Sequence, residues 1–518
     1  MNSIQKDEET QPANRRAAPQ SRYRSRRLHL LGLDSDDCVR AFFGGNAGVA
    51  IVVLALIMFF LFRESAGFFG QNAAEMRLYR QSGLEYADKM RVEVDEYFAL
   101  SRYLTGIESE ELTLLIKKDG IPFKEAKTRT TTLHRFTGEL RDSVAPFKTF
   151  VDAQVQEAMS IRNDYKLNPS GTNLAARREK LLAGRAEFLR LSDELRRHAA
   201  SVAANLPAED PRFHDRFEKF RDMAEDFVVA SHRTDRALEG WDPDRPVYFL
   251  SRLGAFLFGA NWVTNSYYQD WYGVLPLLYG SLLVSLIALI IAVPFGIAGA
   301  IYVNQFSSHW EQRLIKPYIE FISAIPSVVI GFFGVVVWGQ FVREASHWEA
   351  LSWIPGFPLA ERLNAFTAGC LLAIMAIPTI FTLAEDALNN VPKAFTEASY
   401  AVGATKLQTT SRIIVPTAMS GMISAVLLGF GRVIGETMVV LLCAGNRIEM
   451  PPLSDGLAAF FKPVHTMTGL VAQEMGEVVQ GSTHYRALFM VGTLLFFISL
   501  LINYVAQKIL RRYSISEK

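Results

Sequence analysis

Gly429-Phe-Gly-Arg-Val-Ile-Gly-Glu-Thr-Met-Val-Val-Leu-Leu-Cys-Ala-Gly445 sets two opposite charges among glycines and apolar residues. It lies within an apolar run from about Thr417 to Ala444, long enough to cross a bilayer as a helix. Arg432 and Glu436 stand four residues apart in it, so a continuous helix would stack them on one face. A charged side chain near a bilayer centre costs at least ~2.5–3.5 kcal/mol. Such residues persist when they pair with each other or face a polar pathway. Gly429, Gly431 and Gly435 thin the same helix and allow close approach by a neighbour or a solute.

Five more long apolar runs flank this one, at about Ala41–Phe62, Leu275–Val303, Phe321–Val342, Ala365–Leu383 and Ala487–Val505. Six spans make an all-α polytopic membrane protein with both termini on one side. Pro276, Pro294, Pro326 and Pro378 are tolerable as kinks between packed helices. The expected organisation is a basic cytoplasmic tail over 1–40 and a first span over 41–62. A helical extracytoplasmic domain comes next over 63–264, then a membrane domain of five spans over 265–510 and a cytoplasmic tail over 511–518. A cleaved signal peptide is the rival for the first run, but the run exceeds the ~7–15 residues of a signal core. Short loops discriminate weakly between the two sides. The arm carrying Arg15, Arg16, Arg22, Arg24, Arg26, Arg27 and Arg40 decides that the termini face the cytoplasm. Beside a span such an arm reads as a retained tail near membrane lipid, not as a nucleic-acid contact.

Residues Glu64 to about Trp262 are rich in Glu, Arg, Lys and Ala and hold no spanning run. Ala74–Leu104 and Leu174–Leu206 space their apolar residues as surface helices do, with Leu181, Leu182, Phe188, Leu189, Leu191 and Leu195 on one stripe. Pro207, Pro211, Pro243 and Pro246 punctuate the last part of this domain. Trp262, Tyr267, Tyr268, Trp271 and Tyr272 form an aromatic cluster suited to a membrane interface. The whole 518-residue chain carries a formal charge of +1, which points to no polyanionic partner. Cys38, Cys370 and Cys443 give no disulfide framework, and no Cys/His spacing suits a metal, so no metal or cofactor is expected.

Between the fourth and fifth spans, Asn389 to Pro416 reads as helix, break, helix. Pro392 suits a first helical turn, Gly403 a helix end, Thr405 a new N-cap and Pro416 another break. Two short helices projecting into the cytoplasm can lodge in a partner's groove. An amphipathic connector on the membrane surface is the plainer alternative. Glu397-Ala398-Ser399, three residues, Gly403, nine residues, Ile413, one residue and Val415-Pro416 resembles the EAA motif of ABC-importer permeases. Ser399 stands where the motif has Ala, and Val415 where it has Leu. In that family the loop docks on the ATP-binding subunit, which implies this role for Glu397, Ala398, Gly403, Ile413 and Pro416. The chain has no Gly-Lys dipeptide and so no P-loop; it is expected to be a non-enzymatic subunit.

Leu275–Tyr302, Ile325–Gly334, Ile377-Pro-Thr379 with Glu385-Asp-Ala387, and Gly429–Met438 together resemble the permeases of the phosphate-specific transport (Pst) importer. The Gly-Arg-x-x-Gly-Glu-Thr-Met form is similar to its PstC-type subunit. The likeness covers roughly Leu275 to Lys508 and leaves the large insert unassigned. It implies a bacterial inner-membrane permease paired with a PstA-like permease, a dimeric cytoplasmic ATPase and a periplasmic phosphate-binding protein. It also implies that Arg432 and Glu436 serve phosphate passage, with Thr437 adding a hydroxyl. A guanidinium fork suits an oxyanion, and a neighbouring carboxylate would limit its capture. A helix-locking Arg432–Glu436 salt bridge is the alternative. Phosphonate or sulfate stay open as substrates. A membrane sensor is disfavoured by the five further spans and the lack of a signalling domain. An ion-coupled secondary transporter is disfavoured because Arg432–Glu436 is the evident intramembrane pair. Glu385 and Asp386 are expected at an interface, and Ser327 and Thr379 to relieve carbonyls freed by prolines. For His465 and His484, in the last outer loop, solvated and receptor-contacting roles are both open.

Overall fold

The computed structural model describes residues 35–169, 173–206, 211–264, 266 and 268–513. Most of the basic arm, Pro207, Tyr267 and residues 514–518 lie outside them. The chain divides into two compact units, Met1–Phe60 and Leu61–Lys518. The first apolar run belongs to helix α1 (Ser35–Gln81). From Val39 to Phe60 its side chains are exposed almost throughout, as for Ile51 at 69%, which suits a surface solvated by lipid. The helix does not end at Phe62 as expected. Glu64, Ala66, Ala73, Ala74, Glu75 and Met76 are good helix formers, and no proline occurs until well past its end.

Gly83 closes α1 with φ +79°, a turn few side chains tolerate. The anticipated helix over 74–104 is therefore two: the end of α1 and α2 (Leu84–Lys117). Next come α3 (Phe123–Arg129), α4 (Thr131–Leu167), α5 (Leu174–Leu182), α6 (Arg185–Ala204) and α7 (His214–Glu239). They close around one core that includes Tyr86, Met90, Tyr97, Leu140, Phe147, Phe188 and Phe220. The stripe on 174–206 is interrupted at Gly184, where a Cβ would stand 2.6 Å from Gln154 Nε2. Leu181, Phe188, Leu191 and Leu195 are buried, while the break turns Leu182 outward. Two charged groups of the described residues are buried here: Glu93, hydrogen-bonded by Ser192 and Ser231, and Arg196, which donates to the same two hydroxyls.

The return to the membrane part is made by α8 (Phe249–Phe258) and a two-stranded hairpin of β1 (Trp262–Val263) and β2 (Trp271–Tyr272), with Trp262 opposite Tyr272. The helices after it are α9 (Leu275–Ile301), α10 (His309–Ala324), α11 (Ser327–Phe333), α12 (Gly339–Ala345), α13 (Ala365–Asn389), α14 (Lys393–Ala401), α15 (Lys406–Thr409), α16 (Val415–Ile434), α17 (Met438–Cys443), α18 (Met467–Glu474) and α19 (Thr483–Tyr513). Among the described residues, six helical stretches are long and apolar enough to cross a membrane. The third begins at Ser327 and not at Phe321. Pro326 holds Ile325 extended (ψ 124°), which ends α10 as a separate amphipathic helix. At the centre α9 lies against α13 so closely that a Cβ on Gly369 would meet Ile287 Cγ2 at 2.5 Å. Alanines and branched aliphatics fill the rest of this seam, including Ala288, Ala292, Ala368, Ala373 and Ile380.

Candidate functional site: the broken fifth span

The run from Thr417 to Ala444 is not one helix. The fifth span begins earlier, at Lys406, and stops at Ile434. Gly435 turns with ψ −4°, and Glu436 N donates back to Val433 O at 3.1 Å, a tightened last turn. The chain re-enters a helix only at Met438. The carbonyl of Glu436, released from the helical ladder, accepts from Thr468 Oγ1 at 2.7 Å. Its carboxylate accepts from Met438 N at 3.2 Å and so caps α17.

This break separates the two charges that a continuous helix would have stacked. Among the described residues no ion pair joins Arg432 to Glu436. The exposed Arg432 instead donates from Nη1 to Thr379 Oγ1 at 2.9 Å. Thr379 comes directly after Pro378 in α13, and the carbonyl of that proline is taken by Thr382 Oγ1, at 2.9 Å. The hydroxyl expected to relieve backbone at the kink therefore orients the arginine. Thr437 is half-buried, its hydroxyl turned to Gly435 O at 3.4 Å.

Behind the break, Ser281 and Ser285 of α9 meet Glu436, Thr466 and Thr468 in a narrow cleft. Val464 N donates to Ala444 O at 2.9 Å, which brings the chain after α17 back towards the break. Thr466 then caps α18 through Gly469 N at 3.1 Å, and Ser281 Oγ accepts from Met467 N at 2.9 Å. Gly280 permits this approach, since a Cβ there would stand 2.1 Å from His465 O. His465 is buried, which removes the solvated role for it. His484 is paired with Glu474 at 2.7 Å. Sequence reasoning missed Ser281, Ser285, Thr466 and Thr468. The capping threonine just ahead of Met467-Thr-Gly-Leu-Val was the available signal for α18.

The loop element between the fourth and fifth spans forms largely as its residues dictate. Pro392 stands at the N-cap of α14, and Gly403 takes φ +81° just past its end. Ala404 N reaches back to Ser399 O at 3.2 Å. Thr405 and Gln408 form a capping box at the start of α15. Ser399, the departure from the motif's Ala, is buried and pairs its hydroxyl with that of Thr409 at 2.8 Å, pinning α14 to α15. Glu397 and Ala398 are exposed, as are Phe395, Tyr400, Val402 and Leu407. Ile413 is half-buried.

Pro416 is not a break. The wider π turn over Thr410–Ile414 immediately precedes it and accommodates the missing N–H, so Lys406–Ile434 runs through as one span. At 1.5 Å per residue this rod is roughly 40 Å long, with Gly403 beyond one end and Arg432 near the other. Glu385, near the C-terminal end of α13, is buried and paired with Lys316 of α10.

Residues 292–513 match the family described as the binding-protein-dependent transport system inner membrane component. The probable ABC transporter permease protein YqgH of Bacillus subtilis is 34% identical over 259 residues, 49% of this chain and 77% of that protein. The phosphate transport system permease protein PstC of Haemophilus influenzae is 32% identical, covering 47% of this chain and 79% of its own length. PstC of Mesorhizobium japonicum is 31% identical, with 51% and 80% covered. A chain of the inward-facing MetNI methionine ABC transporter is 19% identical over 47% of this chain and 94% of that one, with a TM-score of 0.34, too loose a likeness to carry an argument. Built around an EAA-type loop and matched by permeases over most of their length, the chain belongs to the inner membrane components of binding-protein-dependent transport systems, the ABC-importer permeases.

Proposed function

We propose that this permease translocates inorganic phosphate across the bacterial inner membrane as the PstC-type half of an ATP-driven importer. The observation that supports the reading is the Arg432 guanidinium, fixed by Thr379 near the end of a span that breaks at Gly435. A fork of N–H donors matches a tetrahedral oxyanion. Glu436 keeps a negative charge near the same point while its carboxylate caps α17, which disfavours long residence of an anion. The name shared by the PstC relatives supports phosphate over phosphonate or sulfate.

The same reading supplies the partners. ATP is hydrolysed by a dimeric cytoplasmic ATPase that receives α14 through the exposed Phe395, Tyr400, Val402 and Leu407. A PstA-like permease completes the pathway, and a periplasmic phosphate-binding protein delivers the anion. Both termini then face the cytoplasm and the helical bundle faces outward. The lever from Gly403 to Arg432 links ATPase movement to the solute site, because the rod between them is unbroken.

The test is uptake of labelled phosphate, against sulfate and phosphonate, in membranes containing the co-expressed partners. Arg432→Gln is expected to abolish phosphate uptake while the complex still co-purifies. Unchanged uptake in that variant would remove Arg432 from the pathway, and preferential sulfate or phosphonate uptake would reassign the substrate.

A further inference from the structure

A second cationic site lies far from the broken span, where the chain passes between the helical bundle and the membrane part. Here the outer end of α1, α8 and the β1–β2 hairpin enclose a cavity of about 220 Å³. Its walls include Phe68, Phe256, Trp271 and Tyr272, whose rings meet edge to face: Phe68 is 5.4 Å from Phe256 and 5.6 Å from Tyr272. The backbone around it is fixed, with Val274 N on Phe256 O at 2.8 Å and Gly273 N on Asn261 O at 2.8 Å.

Arg252 also lines this cavity and is more than nine-tenths buried. Its Nη1 donates to Phe69 O and its Nη2 to Asn72 Oδ1 at 2.6 Å, while Nε has no partner. Two of the five guanidinium donors are thus used, both on neutral acceptors. Among the described residues no carboxylate lies within ion-pair distance of it. Asp270, the acid lining the cavity, is engaged elsewhere: its oxygens accept from Ser266 N at 2.8 Å and Tyr272 OH at 3.2 Å. Burial, and after it the positive charge of Arg77, push the guanidinium below its ordinary pKa. A buried cation with no counter-charge is costly, and an anion in the cavity beside Arg252 would offset both desolvation and repulsion.

The surroundings indicate where that anion comes from. The rest of α8 is apolar and exposed, with Leu250 at 77% and Phe258 at 74%, while Phe249, 57% exposed, packs beside the cavity on Phe69. A ten-residue apolar helix of this kind suits the plane of a membrane interface, as does the exposed Trp271 of the hairpin. We propose that the cavity at Arg252 binds the phosphodiester headgroup of an anionic phospholipid, whose acyl chains run along the exposed face of α8. Basic pockets at a membrane interface recognise such headgroups by charge, and the aromatic wall packs on the glycerol.

The full-length protein, co-expressed with its partners and purified in neutral detergent, tests this. Phosphatidylglycerol, phosphatidylcholine and inorganic phosphate are titrated separately, and thermal unfolding is read. Phosphatidylglycerol is expected to raise the unfolding temperature of the wild type. Arg252→Gln, which removes the charge but keeps an amide donor, should need roughly tenfold more of it, the loss of one charge-assisted bond. Ala255→Phe fills the cavity without altering the arginine and should lose the same response, so the idea stays testable if Arg252→Gln folds poorly. An unchanged phosphatidylglycerol response in both variants, or equal protection by phosphatidylcholine, would overturn the site. Protection by inorganic phosphate that is lost in Arg252→Gln but kept in Arg432→Gln, with no further gain from phosphatidylglycerol, would give the cavity to free phosphate and overturn the lipid.

Discussion

Arg432 is held by one hydrogen bond to Thr379, so the precision of the proposed solute site depends on a hydroxyl that sequence reasoning assigned to backbone repair. Thr379→Val is expected to reduce phosphate uptake about tenfold or more, since losing one hydrogen bond to a charged group costs about 1.5–3 kcal/mol. Thr379→Ser should restore most of it. Initial uptake rates in matched membranes check both, and equal rates in the Val and Ser variants would remove the positioning role. A different single residue sets the pH response of the helical bundle. Glu93 is fully buried, one carboxylate oxygen shared by Ser192 and Ser231 and the other without a partner. Burial raises its pKa above the ordinary 4.5, opposed by the two hydroxyls, then reinforced by Asp235 and opposed by Arg196. A carboxyl with a raised native pKa stays protonated longer in the fold than in the unfolded chain. Its contribution is complete below the unfolded value and lost as pH rises through the folded value. Bundle stability should therefore fall as pH rises from about 4.5, and Glu93→Gln should flatten that slope and gain about 1 kcal/mol at neutral pH. Thermal melts across pH read this directly; identical slopes would exclude Glu93 as the source.

Elements were legible where one local signal dominated. The apolar runs announced the spans, and Gly403 and Thr405 announced the turn between α14 and α15 because a positive φ and an N-cap have strong residue preferences. Three features were hidden because tertiary contacts decide them. The break at Gly435 is stabilised by Thr468, a residue some thirty positions further on, so the local sequence still reads as one apolar helix. The π turn before Pro416 absorbs a proline that local rules treat as a stop. Helix α18 is anchored by Ser281, nearly two hundred residues earlier. The turn at Gly403, proposed to couple to the ATPase, carries its own prediction. A Cβ on Gly403 would meet no atom within 4 Å, so the cost of Gly403→Val comes from backbone alone, about 1–2 kcal/mol for a left-handed residue. Gly403→Val should weaken co-purification of the ATPase, whereas Gly403→Asn, which tolerates that conformation, should retain it. Loss of the ATPase in both variants would mean that the partner reads the glycine's surface and not its turn.

At the scale of the whole molecule, the helical bundle and the transport machinery are stabilised by different cores. The core around Tyr86, Phe147 and Phe220 draws on residues from Tyr79 to Leu238, and those around α9, α13 and α16 draw on residues from Leu283 onward. The family match begins at residue 292 and does not reach the bundle. The two ends of the bundle also lie close together, since Arg80 Nη1 donates to Arg245 O at 3.2 Å. A flexible linker of about six residues can therefore join Gln81 to Pro246 without strain. A protein with that linker in place of the bundle, and with Tyr79→Gln where the ring loses its cover, is expected to insert in the membrane and co-purify with the ATPase. The excised segment 84–239 should be helical and melt cooperatively by circular dichroism, because its buried aromatics and aliphatics come almost wholly from within it. Phosphate uptake by the deletion protein then assigns the bundle: retained uptake makes it an accessory to transport, and lost uptake with an assembled complex places it in the delivery step. Failure of the deletion protein to hold the ATPase would instead show that the two cores fold as one, through the contacts that Tyr79 and Met76 make on the bundle side of α1.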